Sequence, residues 1–283
     1  MRLATYHAHT DLCDGKDSAE AMVLGAAELG MTDIGLTAHA MYPVASEWHL
    51  PIQKYDEYVD EVRRLKTVYA DRIRVSLGFE ADWFPGLSAP TRARYAPFSP
   101  DFLVGSVHYL APAGRREATG PFSVDGPIDV VARGLEECFG GSGRRAATAY
   151  WGAVREMVES CDFDVVGHLD LARKHNAQLG LFDEGARWYR AEASACARSI
   201  ARSGKVVEVN TGAIARGTMD DLYPSGWLLS VLARLGVPIT VSSDAHSVSG
   251  LMAAYDRARA ALAAAGIGET YWLSEKGWVG EPL

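Results

Sequence analysis

The sequence predicts an α/β barrel, and three observations favour that fold class. Seven short apolar runs occur along the chain, and helical patterns follow most of them. Such alternation is typical of parallel strands joined by right-handed helical crossovers. Almost every run ends in His, Asp, Glu or Asn, and barrel folds place their functional residues at the carboxyl ends of the strands. The length of 283 residues suits one barrel, so this architecture is favoured over an open sheet.

The predicted strands are near-continuously apolar, as expected for strands that are covered on both faces of a parallel sheet. We expect them at residues 2–9, 33–39, 73–82, 101–110, 163–171, 205–211 and 237–246. The longest remaining interval, 111–162, is expected to hold a loop and two helices. Neither a shift in composition nor a further repeat marks a boundary, so residues 1–283 are predicted to form a single domain.

Several predicted helices have recognisable ends. Asp17, with Glu20 three residues later, matches a capping box at the start of the first helix, and Gly30 marks its end. Gly236 ends a later helix, and Pro238 follows it. These signals end the predicted helices just before the next predicted strands begin.

The composition excludes several functional classes. The net charge is −8, with 28 Lys and Arg against 36 Asp and Glu. Proteins that bind nucleic acid usually carry an excess of positive charge, so this composition disfavours that class. No apolar run reaches the length of about 18 residues that a transmembrane helix needs, and the first residues do not match a signal peptide. The four cysteines are scattered, which disfavours a disulfide framework and a thiolate zinc site. We therefore expect a cytoplasmic protein that binds neither membrane nor nucleic acid, with its oligomeric state left open.

The polar residues at the strand ends predict a metal centre. His7 and His9, like Asp244 and His246, are two residues apart and therefore point to the same face of a strand. The full set of strand-end and adjoining loop residues is His7, His9, Asp14, His39, Glu80, His108, His168, Asp244 and His246. Histidine nitrogen and carboxylate oxygen suit zinc, iron or manganese. Nine ligands exceed the needs of one ion, so we expect two or three ions that share a bridging carboxylate. Such clusters favour metal-assisted hydrolysis, most naturally of a phosphate ester.

The motifs that carry these residues resemble a known family. The segments HAHTDLCDG, GLTAHA, GFEAD, GSVHYL, GHLDL, VNT and SSDAH occur in order along the chain. Together they resemble the PHP (polymerase and histidinol phosphatase) superfamily. The phrases GFEADWFPG, DFLVGSVHYL, VVGHLDLARK and FSVDGP are similar to its histidinol-phosphate phosphatase branch. The resemblance implies a distorted (β/α)7 barrel with three divalent transition metal ions, zinc, manganese or iron, at the carboxyl ends of the strands.

The resemblance also implies how the ligands are shared. The implied sets are His7, His9, Glu80 and Asp244 for the first ion, Glu80, His108 and His168 for the second, and Asp14, His39 and His246 for the third. Glu80 has a catalytic role in this arrangement because it bridges two ions. A hydroxide that bridges the first two ions would attack phosphorus, and the substrate would be L-histidinol phosphate, which is converted to L-histidinol and phosphate in histidine biosynthesis.

The substrate contacts are predicted from charge and position. Guanidinium groups bind phosphate in a bidentate manner, and Arg216 follows the only predicted strand that ends without His or a carboxylate. Arg173 and Lys174 are the next candidates, and Arg115 is a further one. Asp170 shares the face of His168 and is a candidate for the acid that protonates the leaving oxygen, or for a residue that orients its neighbours.

Other interpretations remain open from the sequence. The substrate could be another small biosynthetic phosphate ester, such as a sugar phosphate, or a phosphodiester. A polymerase accessory module is disfavoured because the chain has no basic groove, and a non-catalytic metal-binding module is disfavoured because the ligand set is intact. Four aromatic residues are candidates for a wall around a ring-bearing substrate: Tyr42, Trp83, Phe84 and Tyr109.

Overall fold

The computed structural model describes residues 2–45, 48–110 and 121–283. Within these ranges the strands, in chain order, are β1 (Ala4–Thr5), β2 (Asp33–Ala40), β3 (Arg74–Asp82), β4 (Phe102–Ser106), β5 (Tyr109–Leu110), β6 (Phe122–Ser123), β7 (Val165–Val166), β8 (Val206–Asn210), β9 (Ile239–Ser242), β10 (Glu269–Ser274) and β11 (Gly277–Pro282). Seven of them form one parallel sheet in the order β1-β2-β3-β4-β7-β8-β9. Each of these seven lies within a predicted strand segment or extends it by one residue.

The sheet curves until its two edges meet. Ala8, just after β1, forms a parallel bridge with Ala245, just after β9. The amide of His9 donates to the carbonyl of Ala245 over 2.8 Å, and the Thr5 and Ser243 hydroxyl oxygens lie 3.0 Å apart. These contacts make the sheet a distorted, nearly closed barrel of seven strands, which confirms the predicted fold class.

Helices surround the barrel and cover the outward-facing apolar residues of the strands. In the described chain they are α1 (Ala19–Glu28), α2 (Tyr55–Val68), α3 (Arg92–Tyr95), α4 (Ile128–Phe139), α5 (Gly143–Ser160), α6 (Asn176–Leu179), α7 (Arg187–Ser203), α8 (Gly212–Ala215), α9 (Gly226–Arg234) and α10 (Tyr255–Ala264). The two helices expected between 111 and 162 are confirmed as α4 and α5. Across the described residues, no helix has the length and apolar character needed to cross a bilayer.

The start of α1 differs from the predicted capping box. Ser18, rather than Asp17, is the N-cap, and its hydroxyl accepts from the amide of Ala21 over 3.2 Å. The Asp17 carboxylate instead accepts from the amide of Val248, 2.8 Å away. Asp17 therefore ties the start of α1 to the loop after β9, which a local sequence pattern could not indicate.

A C-terminal hairpin, which the sequence analysis did not identify, closes the amino-terminal end of the barrel. β10 and β11 pair antiparallel, and Leu273 packs with Tyr6 and Phe102 in an interior cluster that is separate from the main core. The Tyr6 hydroxyl accepts from the amide of Leu273 over 3.0 Å. The Phe102 ring fills the interior so closely that a Cβ on Gly78 would lie 2.6 Å from it. We call this end the foot of the barrel and the opposite end the mouth.

Candidate metal centre

His7 and His9 follow β1 and place two imidazoles inside the mouth. Both side chains are fully buried. The Glu208 carboxylate, from β8, lies 3.1 Å from His7 Nδ1 through each of its oxygens. That contact fixes the ring so that Nε2 faces the Glu80 carboxylate, 3.1 Å away. His7 is thus held in the orientation that a ligand nitrogen needs.

Glu80, on β3, lies at the centre of the cluster. The residue is 1% exposed, and each of its carboxylate oxygens faces a different group of imidazoles. Oε2 lies 3.1, 3.6 and 2.6 Å from nitrogens of His7, His9 and His39, and Oε1 lies 3.4 and 2.8 Å from Nε2 of His108 and His168. Burial alone would raise the pKa of Glu80, but the histidines outweigh it and hold the pKa well below its usual range. A carboxylate with two separately partnered oxygens has the shape of a bridging ligand.

A second carboxylate, Asp14, gathers three histidines at the outer rim. Asp14 Oδ2 lies 3.4 Å from His39 Nε2 and 3.0 Å from His246 Nε2, and Oδ1 lies 3.7 Å from His9 Nδ1. The Asp14 side chain is 31% exposed. This part of the cluster is therefore the one that is most open to solvent.

Asp244 completes the cluster from the end of β9. Its Oδ1 lies 3.3 Å from His9 Nε2 and 3.8 Å from His7 Nε2. Its backbone has a φ of 48°, a conformation that costs energy for a residue other than glycine and is commonly found at functional sites. Arg216 and Asn210 donate to Oδ2 over 2.9 and 3.3 Å, which leaves Oδ1 directed towards the histidines.

The donor atoms in this cluster fit divalent metal ions. His7 Nε2, His9 Nε2, His39 Nδ1 and Glu80 Oε2 are buried and form no hydrogen bond. The last two lie 2.6 Å apart without hydrogen-bond alignment. Unpartnered buried polar atoms are costly, and a cation supplies the missing partner. All nine predicted ligands fall into groups of three or four donors that lie within 4.8 Å of one another. Nitrogen and carboxylate donors of this kind suit zinc, manganese or iron.

Two supporting carboxylates were not identified from the sequence. Glu208 holds His7, and it also accepts from the amide of His168 over 2.8 Å. Asp82, at the end of β3, lies 2.8 Å from His108 Nδ1 and 2.5 Å from His49 Nε2. A charged residue within an apolar strand, such as Glu208 in VVEVN, is the signal that could have indicated this role.

The cluster opens into a cavity of about 430 Å³. The residues on its wall are Asp14, His39, Trp48, His108, Ser123, Asp125, Gly126, Pro127, His168, Leu171, Lys174, Arg216, Asp244 and His246. Two predicted substrate residues, Lys174 and Arg216, are therefore brought to the cavity. Trp48, Ser123 and Asp125 are wall residues that the sequence analysis did not identify.

Arg216 and Lys174 lie on the cavity wall and already have protein partners. Arg216 Nη1 donates to the carbonyl of Asp244 over 2.7 Å, and Nη2 donates to its carboxylate. The Arg216 side chain is 34% exposed, so part of the guanidinium still faces the cavity. Lys174 Nζ donates to the carbonyl of Asp125 over 2.6 Å. Arg115 lies outside the described residues.

Asp170 and Arg173 do not reach the cavity wall, unlike the positions predicted for them. Asp170 is 1% exposed and accepts from Arg173 over 3.2 Å and from the amide of Ser225 over 2.9 Å. Arg173 also donates to Glu184 and Asp221, each over 2.6 Å. Burial raises the pKa of Asp170. The pair therefore joins three loops beneath the site, and it is not placed to contact a substrate.

The predicted aromatic wall is also placed elsewhere. The cavity wall contains none of Tyr42, Trp83, Phe84 and Tyr109, all of which are described residues. Trp48 is the aromatic residue on the wall. Its ring stacks on that of His49 at 3.9 Å between centroids, and its Nε1 donates to the Tyr109 hydroxyl over 2.6 Å. Tyr109 thus supports the wall from behind.

Comparisons with known proteins identify the family of the chain and match its fold. The model of the PHP domain family matches residues 5–212. A Deinococcus radiodurans protein named probable histidinol-phosphatase is 29% identical over 247 residues, which is 86% of each chain. The crystal structure of a Listeria monocytogenes protein, described as a putative histidinol phosphatase, has a TM-score of 0.78 at 21% identity and covers 90% of this chain and 99% of its own. A Lactococcus lactis histidinol phosphate phosphatase, crystallised with zinc, L-histidinol and phosphate, has a TM-score of 0.72 at 21% identity and covers 98% and 99%.

Proposed function

We propose that this chain, which belongs to the PHP domain family, is a metal-dependent phosphatase that hydrolyses L-histidinol phosphate to L-histidinol and phosphate. The observation that carries the proposal is the cluster of nine His and carboxylate side chains around the buried Glu80. The names of the curated relatives support the choice of substrate. So does the Lactococcus lactis structure, which contains zinc, L-histidinol and phosphate.

We assign three divalent ions, of zinc, manganese or iron, to the cluster. The proposed ligand sets are His7, His9, Glu80 and Asp244, then Glu80, His108 and His168, then Asp14, His39 and His246. The division of contacts between Glu80 Oε1 and Oε2 supports a shared carboxylate, and the contacts of Asp14 support a separate site at the rim. When bound, such ions polarise phosphoryl oxygens and lower the pKa of water.

The chain's own residues prepare this chemistry in three ways. Glu208 and Asp82 fix the rings of His7 and His108, so that Nε2 of each faces Glu80. Arg216 presents a guanidinium edge beside Asp244, where it can bind a phosphate oxygen through a charge-assisted bond. In the reaction, water adds to phosphorus, the phosphorus–oxygen bond to the alcohol breaks, and the alcohol oxygen takes a proton.

We place the reaction in the cytoplasm. Cys13, Cys161 and Cys196 are free thiols, which is the usual state of cysteine in a reducing compartment.

The cavity of about 430 Å³ accommodates a small ester.

The test is a comparison of esters after the protein has been loaded with a defined metal. The kcat/KM values for L-histidinol phosphate, a hexose phosphate and a phosphodiester are measured with zinc, manganese and iron in turn. We expect the highest value for L-histidinol phosphate and no activity after chelation. A higher value for the hexose phosphate or the diester would overturn the assignment of substrate, and full activity after chelation would overturn the role of the metal.

A further inference from the structure

One carboxylate in the cavity wall has no part in the candidate metal centre. Asp14 and Asp244 also line the cavity, but both belong to the ligand groups. Asp125 lies on the segment between β6 and α4, and Ser123 Oγ donates to its Oδ1 over 2.7 Å. Lys174 Nζ is 3.5 Å from Oδ2, a distance at which a hydrogen bond is weak. Asp125 Oδ2 therefore keeps the capacity to accept a further donor.

The position of Asp125 relative to the metal centre is fixed by backbone contacts. The amide of Val124 donates to the carbonyl of His108 over 2.8 Å. β6 pairs with β5, which begins directly after His108. On the other side, His175 Nε2 lies 2.8 Å from the carbonyl oxygen of Gly126. The carboxylate is thus held on a wall that also carries a proposed metal ligand.

The Asp125 carboxylate forms an ion pair with Lys174, whose Nζ lies 3.5 Å from Oδ2, and so removes part of the positive charge that a phosphate would otherwise meet on this wall. The Asp125 side chain is only 25% exposed, so water and salt screen its charge incompletely. A wall that served the phosphate alone would present unpaired cations, but here Lys174 is paired with Asp125 and Arg216 with Asp244. The cost of Asp125 is accounted for if the substrate carries a positive charge next to its phosphate, because that charge turns a repulsive contact into a selective one.

We infer that Asp125 binds a protonated amine of the substrate, so that the substrate class is a phosphate monoester with an ammonium group close to the ester oxygen. The inference rests on the proposed phosphatase function and deepens it. An ammonium group donates to Asp125 Oδ2, while the phosphate lies towards the metal ligands and Arg216. A sugar phosphate leaves the carboxylate without this partner and meets its repulsion, which lowers the affinity of the site for it.

The test compares esters with and without an amine in the variant Asp125→Asn. L-Histidinol phosphate and O-phosphoethanolamine carry an amine two carbons from the ester oxygen, whereas ethyl phosphate has none. For the amine esters we expect kcat/KM to fall about 10- to 100-fold, chiefly through KM, as for loss of a charge-assisted bond. For ethyl phosphate we expect no loss, or a gain, because a repulsive charge is removed. Asp129→Asn is the matched control, since Asp129 is exposed in the first turn of α4.

Several results would overturn the inference. An equal loss on all three esters would mean that Asp125 only supports the wall, and an unchanged value for the amine esters would mean that it binds no amine. Dissociation constants of O-phosphoethanolamine and ethyl phosphate, measured by calorimetry on the metal-loaded protein, test the same preference without turnover. If L-histidinol phosphate is not preferred but the two simple esters still differ in the expected direction, the proposed substrate fails and the role of Asp125 stands.

Discussion

The foot and the mouth of the barrel are built from the same strands but carry opposite chemistry. On β8, Val206 packs at the foot with Phe102. Two residues later, Glu208 contacts His7, and two residues further, Asn210 donates to Asp244. Residues at this spacing face the same side of a strand, so one face of β8 changes from apolar to polar within three inward positions.

The two ends of the barrel therefore have different roles: the foot stabilises the fold, and the mouth carries the candidate functional residues. At the foot, the C-terminal hairpin covers the interior, and the buried Tyr6 hydroxyl has a partner in the amide of Leu273. At the mouth, buried nitrogen and oxygen atoms of His7, His9, His39 and Glu80 lie close together but form no hydrogen bond. The foot is mainly apolar, whereas the mouth concentrates buried donor atoms that cations could bind. Changes at the mouth should therefore affect metal and turnover, and changes at the foot should affect stability.

The largest effect is expected for Glu80→Gln. The change removes the charge that faces five imidazoles, so we expect metal content to drop and turnover to fall by more than about 100-fold, beyond the usual cost of losing a residue that only supports a ligand. Elemental analysis and kinetics of the purified variant check this. Asp170→Asn, which lies beneath the site, should lose less of both. Normal metal occupancy in Glu80→Gln would refute the bridging role.

A smaller loss is expected for Arg216→Ala. Removal of a charge-assisted phosphate contact should lower kcat/KM about 30- to 100-fold, and Arg216→Lys should recover only part of it because Lys lacks the planar fork. Since Asn210 still donates to Asp244, we expect the metal content to be retained. Arg259→Ala, at an exposed position of α10, is the control. A value for Arg216→Ala within about threefold of the unmodified enzyme would mean that Arg216 is only a wall residue.

Metal uptake should release protons. Burial alone would lower the pKa values of His7 and His39. At His7, the carboxylates of Glu208 and Glu80 outweigh burial and raise the pKa well above its usual range. At His39, Glu80 and Asp14 have the same effect. The raised pKa values favour the protonated rings in the metal-free protein, so metal displaces protons when it binds and its affinity rises with pH. Calorimetry of metal uptake in two buffers of different ionisation enthalpy measures the number released. Identical heats in both buffers would contradict this account.

The smallest effect on catalysis is expected at the foot. Leu273→Ala should reduce the free energy of unfolding by about 2–5 kcal/mol, the usual cost of truncating a buried Leu. Metal content and kcat of the folded protein should not change. Denaturant unfolding and kinetics on the same preparation check both statements. A loss of metal from Leu273→Ala would show that the two ends of the barrel are not independent.

The residues of the candidate metal centre were predictable because each of them combines a distinctive residue type with a strand end or an adjoining loop. His7, Glu80 and Asp244 needed only the alternation of strands and helices to be placed at one end of a barrel. Asp125 and Trp48 were not placed at the site in this way, although Asp125 lies in the FSVDGP segment. Both are in loops whose path over the mouth depends on distant contacts, such as that of Lys174 with Asp125.

Arg173 is a residue that the sequence pattern placed at the site although the structure does not. Its position after the fifth barrel strand favoured a phosphate contact, but Glu184 and Asp221, which come from later loops, bind the guanidinium. The hairpin of β10 and β11 was missed for a related reason. Its two strands pair with each other, and its docking at the foot depends on Tyr6 and Phe102, which are remote in sequence.

The measurement that tests the central claim most directly is a titration of metal into the metal-free protein. The activity on L-histidinol phosphate is followed together with bound metal per chain, with zinc, manganese and iron in separate series. The account predicts no activity without metal and a rise that ends when three ions are bound, matching the three proposed ligand sets. Full activity with two ions per chain would contradict the third ligand set, and full activity with fewer than two would contradict a centre that contains several ions.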